Sequence, residues 1–306
     1  MNISFAPLQG YTDAAYRRFH NQVYGDCIDC YYTPFIHLHN GEPRHRDIRD
    51  IEPGNNPGIT IVPQIICRDA NEFHTLVNAV IATGHTHIDI NMGCPFPPQS
   101  RKGRGSGLLA HPDAVSEIVT AIDQYPQLTF SIKMRLGLDG PEQAINLLPT
   151  LNQARLTHIT MHPRIGTQQY KGTVDMLSFA QFMAKCEKPV IYNGDITTPE
   201  QIGILTEQYP DLHGIMIGRG LLARPSLAHE YQQGITLGQE EQIVRVLELH
   251  SLLYEHYSTV LQGDAQLLTK IKTFWDHLES LIGHKPHKAI KKASSIAKYN
   301  AAIQAI

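Results

Sequence analysis

The stretch HIDINMGCPFPPQSRKGRGSGLLAHPDAVSEIVTAIDQYPQLTFSIKMRLG, residues 87–137, decides the fold. It reads as a short apolar strand (87–90), a basic glycine-rich loop, an amphipathic helix (111–125) and a second apolar strand (129–134). Two near-continuously apolar strands joined through a helix make a parallel pair covered on both faces. Cys94 stands just past the first strand, in Asn91-Met92-Gly93-Cys94-Pro95. A thiol at the C-terminal end of a buried strand, followed by backbone able to approach a ligand, marks a reaction site if the sheet closes into a barrel. A buried structural cysteine before a turn is the other reading.

The same unit recurs outward in both directions. Strands are predicted at 3–8, 28–35, 60–66, 87–90, 129–134, 158–161, 190–192 and 214–217. Helical patterns fall at 69–84, 111–125, 140–155, 175–186 and 198–210. Asp69, Asp175 and Thr198 stand where N-caps belong, and Pro199 follows Thr198 at the first helical position. Eight βα units in about 230 residues predict an α/β fold, a closed (β/α)8 TIM barrel. A doubly wound open sheet is the alternative, and the count favours closure. From about residue 238 the pattern turns wholly helical. The expected division is a barrel catalytic domain over 1–236 and a small all-helical C-terminal domain over 237–306, with Gly234–Gly238 between them.

A chain of 306 residues, 42% hydrophobic, is ample for one barrel and an appendage. A net charge of −3 excludes a generally basic nucleic-acid binder, so local charge must decide. Five cysteines, no leader pattern and no apolar run of membrane length point to a cytoplasmic protein with reduced thiols, off the membrane. Cys27 and Cys30 read as buried thiols, because no second pair completes a zinc site; no metal is expected. After Glu279 no acidic residue follows, while Lys285, Lys288, Lys291, Lys292 and Lys298 do. This cluster reads either as a phosphate-neutralising face or as an ordinary solvated helix.

Most strand ends carry polar residues or glycine that a core does not need: Pro7-Leu8-Gln9-Gly10, Gln64, Asn91, Lys133 with Arg135, His162 with Arg164, Asn193-Gly194-Asp195 and Gly218-Arg219-Gly220. One buried lysine is costly unless paired. Several strands doing this together predict a ligand-filled barrel mouth. Small residues with free backbone amides after the last two strands predict a phosphate site. Lys133 and His162 then supply charge or hydrogen bonds beside an electron-rich ring such as a flavin.

Taken together, APLQGYTD (6–13), VPQI (62–65), INMGCP (90–95), GRGSGLL (103–109), SIKMRLG (131–137), MHPRIGTQQYKG (161–172), YNGDI (192–196) and IMIGRGLLARP (215–225) resemble the tRNA-dihydrouridine synthase family, in order and spacing along the whole barrel. The resemblance implies an oxidoreductase that holds FMN, takes electrons from NADPH, and reduces the C5–C6 double bond of uridines in tRNA. It implies FMN binding by Pro7, Leu8, Gln9, Gln64, Lys133, His162, Asn193, Gly194, Asp195, Gly218 and Arg219. Cys94 would be the proton donor, and Asn91, Arg135, Arg164 and Tyr170 would line the uracil or its approach. Arg101, Lys102 and Arg104 at the mouth, with Lys288, Lys291 and Lys292, would hold RNA phosphates. The chain length and positional match suggest the shorter bacterial C-type branch, acting as a monomer. Two departures stand out: Leu8 where Met is usual, and Pro97 and Gln99 where many members carry Lys and Val. The rival functions are an FMN reductase of a free pyrimidine, like dihydroorotate dehydrogenases, and a flavin-less barrel that binds RNA or a phosphorylated metabolite.

Overall fold

The computed structural model describes all residues 1–306. Its strands are β1 (Asn2–Phe5), β2 (Cys30–Tyr32), β3 (Ile61–Val62), β4 (Gln64–Ile65), β5 (His87–Met92), β6 (Thr129–Gly137), β7 (Leu156–Ile165), β8 (Val190–Asn193) and β9 (Gly214–Ile217). All pair in parallel, and β9 returns to β1. β3 and β4 are the halves of one barrel strand, broken at Pro63. Ile61 and Val62 pair with β2, while Gln64 and Ile65 pair with β5, which closes the ring. Proline has no N–H to give the ladder, yet its carbonyl still accepts from the Asp89 amide at 2.9 Å.

The helices follow from local chemistry. Asp69, Asp175 and Thr198 each accept from the backbone N–H three residues on, opening helices Ala70–Ile81, Met176–Met183 and Pro199–Gln208. Such caps satisfy donors that a helix start otherwise leaves unpaired. Beyond Gly234, whose φ of 62° ends helix Leu227–Gln233 in the left-handed region, the chain is helical, led by the 22-residue helix Gln239–Val260. One apolar cluster of 67 buried residues runs from the barrel wall into this region, through Leu249, Leu253, Tyr257 and Trp275. The helical part therefore shares the barrel's core rather than hanging from a linker. No helix of the chain is long and apolar enough to cross a membrane.

Four strands run past the predicted ends: β5 to Met92, β6 to Gly137, β7 to Ile165 and β8 to Asn193. The extra residues include Asn91, Arg135, His162 and Arg164. Strand side chains alternate faces, so Ser131, Lys133 and Arg135 share one side of β6 and climb from floor to mouth. Cys27 and Cys30 carry free thiols that burial pushes up to about 12, as expected of inert buried cysteines.

Candidate active site

At the C-terminal end of the strands lies a cleft of about 340 Å³. Its walls include nine of the residues singled out in the sequence: Pro7, Leu8, Gln9, Asn91, Cys94, Lys133, Arg135, His162 and Tyr170. They also include Tyr11, Phe35, Phe96 and Gln169, which the sequence did not mark. No spacing rule flags a single aromatic.

The cysteine is held rigidly. Asn91 Oδ1 accepts the backbone N–H groups of Gly93 (3.0 Å) and Cys94 (2.8 Å). The Cys94 carbonyl accepts from the Ser106 N–H (3.0 Å) and hydroxyl (3.1 Å). Asn91 Nδ2 donates to Gln64 Oε1 (2.7 Å), and Gln64 Nε2 donates to Asp89 (2.7 Å), which also accepts from the Ser131 hydroxyl (2.6 Å). The buried column under the cleft thus ends on the Cys94 loop. Gln64 lies below the cleft wall with both ends of its amide engaged, and Asn91, though on the wall, spends its carbonyl on the cysteine's backbone. Burial pushes the Cys94 thiol up, against the Phe96 backbone N–H and the charges of Arg135 and Lys133. At neutral pH it is a thiol, the proton-bearing form.

Gly105 packs against that loop with φ +57°, and a Cβ there would sit 2.6 Å from the Cys94 carbonyl oxygen and 2.9 Å from Cys94 Cβ. Gly105→Ala therefore carries left-handed strain of roughly 1–3 kcal/mol on top of a clash with the loop. A melting temperature lower by several degrees and altered alkylation of Cys94 are expected. Unchanged melting and alkylation in that variant would show the packing to be loose.

Cations face the cysteine. Lys133 Nζ donates to Asn193 Oδ1 (2.6 Å), and Asn193 Nδ2 donates to the Met216 carbonyl (2.7 Å). Burial, helped by Arg135, brings Lys133 down to about 8, while Asp89 and Cys94 pull the other way. Burial takes Arg135 to about 10. Burial and four neighbouring cations hold His162 well below its ordinary value, so it is a neutral imidazole. Its Nε2 lies 3.1 Å from an Arg164 N–H and so acts as the acceptor.

After β8 and β9, the backbone N–H groups of Gly194, Asp195 and Gly218 donate to no backbone carbonyl. Arg219 stands beside them, its guanidinium 3.3 Å from Asp195. Free amides and one guanidinium make a cradle for an anion. The residues present thus fit a phosphorylated cofactor with an electron-rich ring: a cradle for the phosphate, and a half-buried lysine and a buried arginine beside a neutral imidazole for the ring.

Three expectations are corrected. Arg104 is not a free charge at the mouth. It is buried and donates to both Glu72 oxygens, Nε at 2.8 Å, so its charge is spent inside; Arg101 and Lys102 are exposed. Arg164 does not line the cleft. It is 2% exposed and forked onto the Asp195 carboxylate, with a third bond to the Gly172 carbonyl (2.7 Å), and it ties His162 to the loop after β8. Lys291 is not free for RNA, because its ammonium pairs with Asp276, which accepts from the Tyr11 hydroxyl at 3.0 Å in the cleft wall.

A closed barrel that gathers a thiol, a half-buried lysine and a neutral histidine around one mouth defines a barrel enzyme with an acid and an anion site. The family described as Dihydrouridine synthase (Dus) matches residues 4–303, and the chain belongs to that family of oxidoreductases. It is 27% identical over 261 residues to tRNA-dihydrouridine synthase B of Pseudomonas putida, covering 85% of this chain and 76% of that protein. It is 29% identical over 269 residues to probable tRNA-dihydrouridine synthase 1 of Synechocystis, covering 85% and 73%. Against tRNA-dihydrouridine synthase B of Yersinia pestis it is 31% identical over 204 residues, 66% of this chain and 63% of that one. None of the three carries the C-type name expected from chain length. The fold resembles a morphinone reductase solved with tetrahydroNAD, at TM-score 0.57 and 11% identity over 78% of this chain and 88% of that one. It also resembles histamine dehydrogenase from Rhizobium, at TM-score 0.57 and 11% identity over 82% and 49%.

Proposed function

We propose that this protein is a flavin-dependent tRNA-dihydrouridine synthase, reducing the C5–C6 double bond of uridine in tRNA with FMN as cofactor and NADPH as reductant. The observation that carries the reading is one cleft in which a proton-bearing Cys94 faces Lys133, Arg135 and His162. When bound, reduced FMN supplies a hydride to C6 of the uracil. Pro7, Leu8, Gln9, Lys133 and His162 would line its ring site, and Gly194, Asp195, Gly218 and Arg219 would hold its phosphate; Asn193 fixes Lys133, while Gln64 acts further off, through Asn91 and Asp89.

The chain's own residues do the rest. Cys94 Sγ delivers the proton to C5 of the uracil, and its rigid loop keeps the thiol at one height over the cleft. Arg135 offsets the negative charge that develops toward O4. Asn91 and Gln64, through Asp89, hold the loop in register. A uridine inside folded RNA must leave its stack to reach this depth, at a few kcal/mol. RNA phosphates lie across exposed Arg101 and Lys102 and the lysine-bearing helices, which makes residues 237–306 the RNA-binding part and 1–236 the catalytic part.

Lys288 and Lys292 are exposed and make no ion pair. The Lys288→Ala/Lys292→Ala double variant is expected to weaken tRNA binding and to flatten the plot of log affinity against log salt by about one to two units, near one for each phosphate no longer neutralised. An unchanged salt slope would remove these lysines from the interface. The functional reading itself is tested by mapping dihydrouridine in tRNA from cells with and without the gene. Loss of particular dihydrouridines supports it, and an unchanged map contradicts it.

A further inference from the structure

Eight large hydrophobic side chains are exposed on this protein, and only two are aromatic: Phe96 at 57% and Tyr170 at 48%. Both line the same cleft. Their surroundings differ. The Tyr170 ring already serves the guanidinium of Arg219 at 4.4 Å and that of Arg135 at 5.4 Å. Phe96 has no aromatic or cationic partner. Its ring is held out to solvent at the mouth of the cleft, with its faces free.

The backbone under Phe96 is stiff. Its carbonyl accepts the N–H groups of Gln99 (2.9 Å) and Ser100 (3.0 Å), and Pro97 occupies the first position of the short helix Pro97–Ser100. Proline fixes φ there. Two residues earlier, Cys94 is tied through Asn91 and Ser106. Two residues of extended chain reach about 7 Å at most, so the Cα that carries the ring stays within that distance of the Cα that carries the thiol. An exposed aromatic on a rigid mount beside a hole that must accept one extruded base is a stacking platform.

We infer that Phe96 stacks on a nucleobase of the RNA substrate next to the uridine that enters the cleft. This rests on the tRNA reading above. It also gives a role to Pro97, which departs from the family pattern: it fixes the backbone that carries Phe96.

The test uses a reporter the protein provides. Its single tryptophan, Trp275, is fully buried and far along the chain in the helical part. In a Phe96→Trp variant the indole at 96 is the solvent-exposed one. Titrating the full-length protein with unmodified tRNA is expected to quench and shift that emission, with Trp275 of the parent protein unaffected. Phe96→Ala is expected to weaken tRNA affinity roughly tenfold or more, as losing one stacked base does, and Phe96→Trp is expected to restore it. Wild-type binding of tRNA, with no emission change in Phe96→Trp and an unweakened Phe96→Ala, overturns the inference and leaves the tRNA reading standing. Absence of tRNA binding by the wild-type protein overturns both.

Discussion

Cys94→Ala protein will still fold and take up FMN, and will still oxidise NADPH, but it will form dihydrouridine at least about 100-fold more slowly, the lower end of what a positioned general acid contributes. The thiol carries a proton at neutral pH and stands on a cleft-wall loop fixed from both sides. Lys133 gives one of its three N–H donors to Asn193, and His162 is neutral with its Nε2 facing an arginine N–H. Removing the sulfur leaves those bonds in place, so binding and chemistry separate. Cys94→Ser is expected to retain a trace of activity, since a hydroxyl is a much weaker acid. Full dihydrouridine formation by the alanine variant would take Cys94 out of the role.

A large effect on stability is expected from acid. His20, His158 and His250 are buried, at 0%, 7% and 6% exposure, and burial takes them to about 4, 3 and 4. Each is used neutral: His20 lies between the Tyr31 hydroxyl and the Pro225 carbonyl, His158 against the Tyr32 hydroxyl, and His250 against Tyr299. A folded-state value depressed below the unfolded 6.5 means the unfolded chain takes up protons first as pH falls. The stability these residues give is complete above about pH 6.5 and drains away toward pH 4. At pH 5 the loss is about 2 kcal/mol per histidine, roughly 6 in all. Asp89, raised to about 6 by burial, works in the opposite direction and returns about 1 kcal/mol. A loss of several kcal/mol from these groups is a large part of a normal domain's stability. Urea midpoints at pH 7.5, 6 and 5 are expected to fall steeply, and a flat series would show that the three imidazoles are not held neutral in the fold.

The barrel was legible because its strands are short apolar runs between capped helices, and Asp69, Asp175 and Thr198 stand at the caps they were expected to make. Strand ends were not legible. Asn91, Arg135 and Arg164 look like loop residues by polarity, yet they continue their strands because one face of each strand points into a polar cleft. The break at Pro63 was hidden for a related reason, since Val62 and Gln64 flank it in one apparent apolar run. Of the site, the motif residues were readable and their division of labour was not. The partners lie far off in sequence: Glu72, which claims Arg104, is 32 residues away, and Asp195, which claims Arg164, is 31 away. Phe96 and Tyr11 carry no pattern at all and emerge only when the mouth is assembled.

The helical part also reads differently once folded. Tyr11 reaches Asp276, Lys270 reaches Asp13 and the Gly10 carbonyl, and the Tyr257 hydroxyl donates to Asp13. All three ties end on the loop after β1 that forms one wall of the cleft. That region braces the cleft wall as well as presenting lysines, and Lys291 belongs to the brace through Asp276.

A flavin and a uridine of tRNA held together in this cleft under Cys94 would show in mass spectrometry of a tRNA free of dihydrouridine, after incubation with purified protein, FMN and NADPH. Wild-type protein is expected to add H2 at defined uridines, and Cys94→Ala to add none. Protein that takes up flavin and oxidises NADPH yet leaves every uridine unchanged would contradict the tRNA reading.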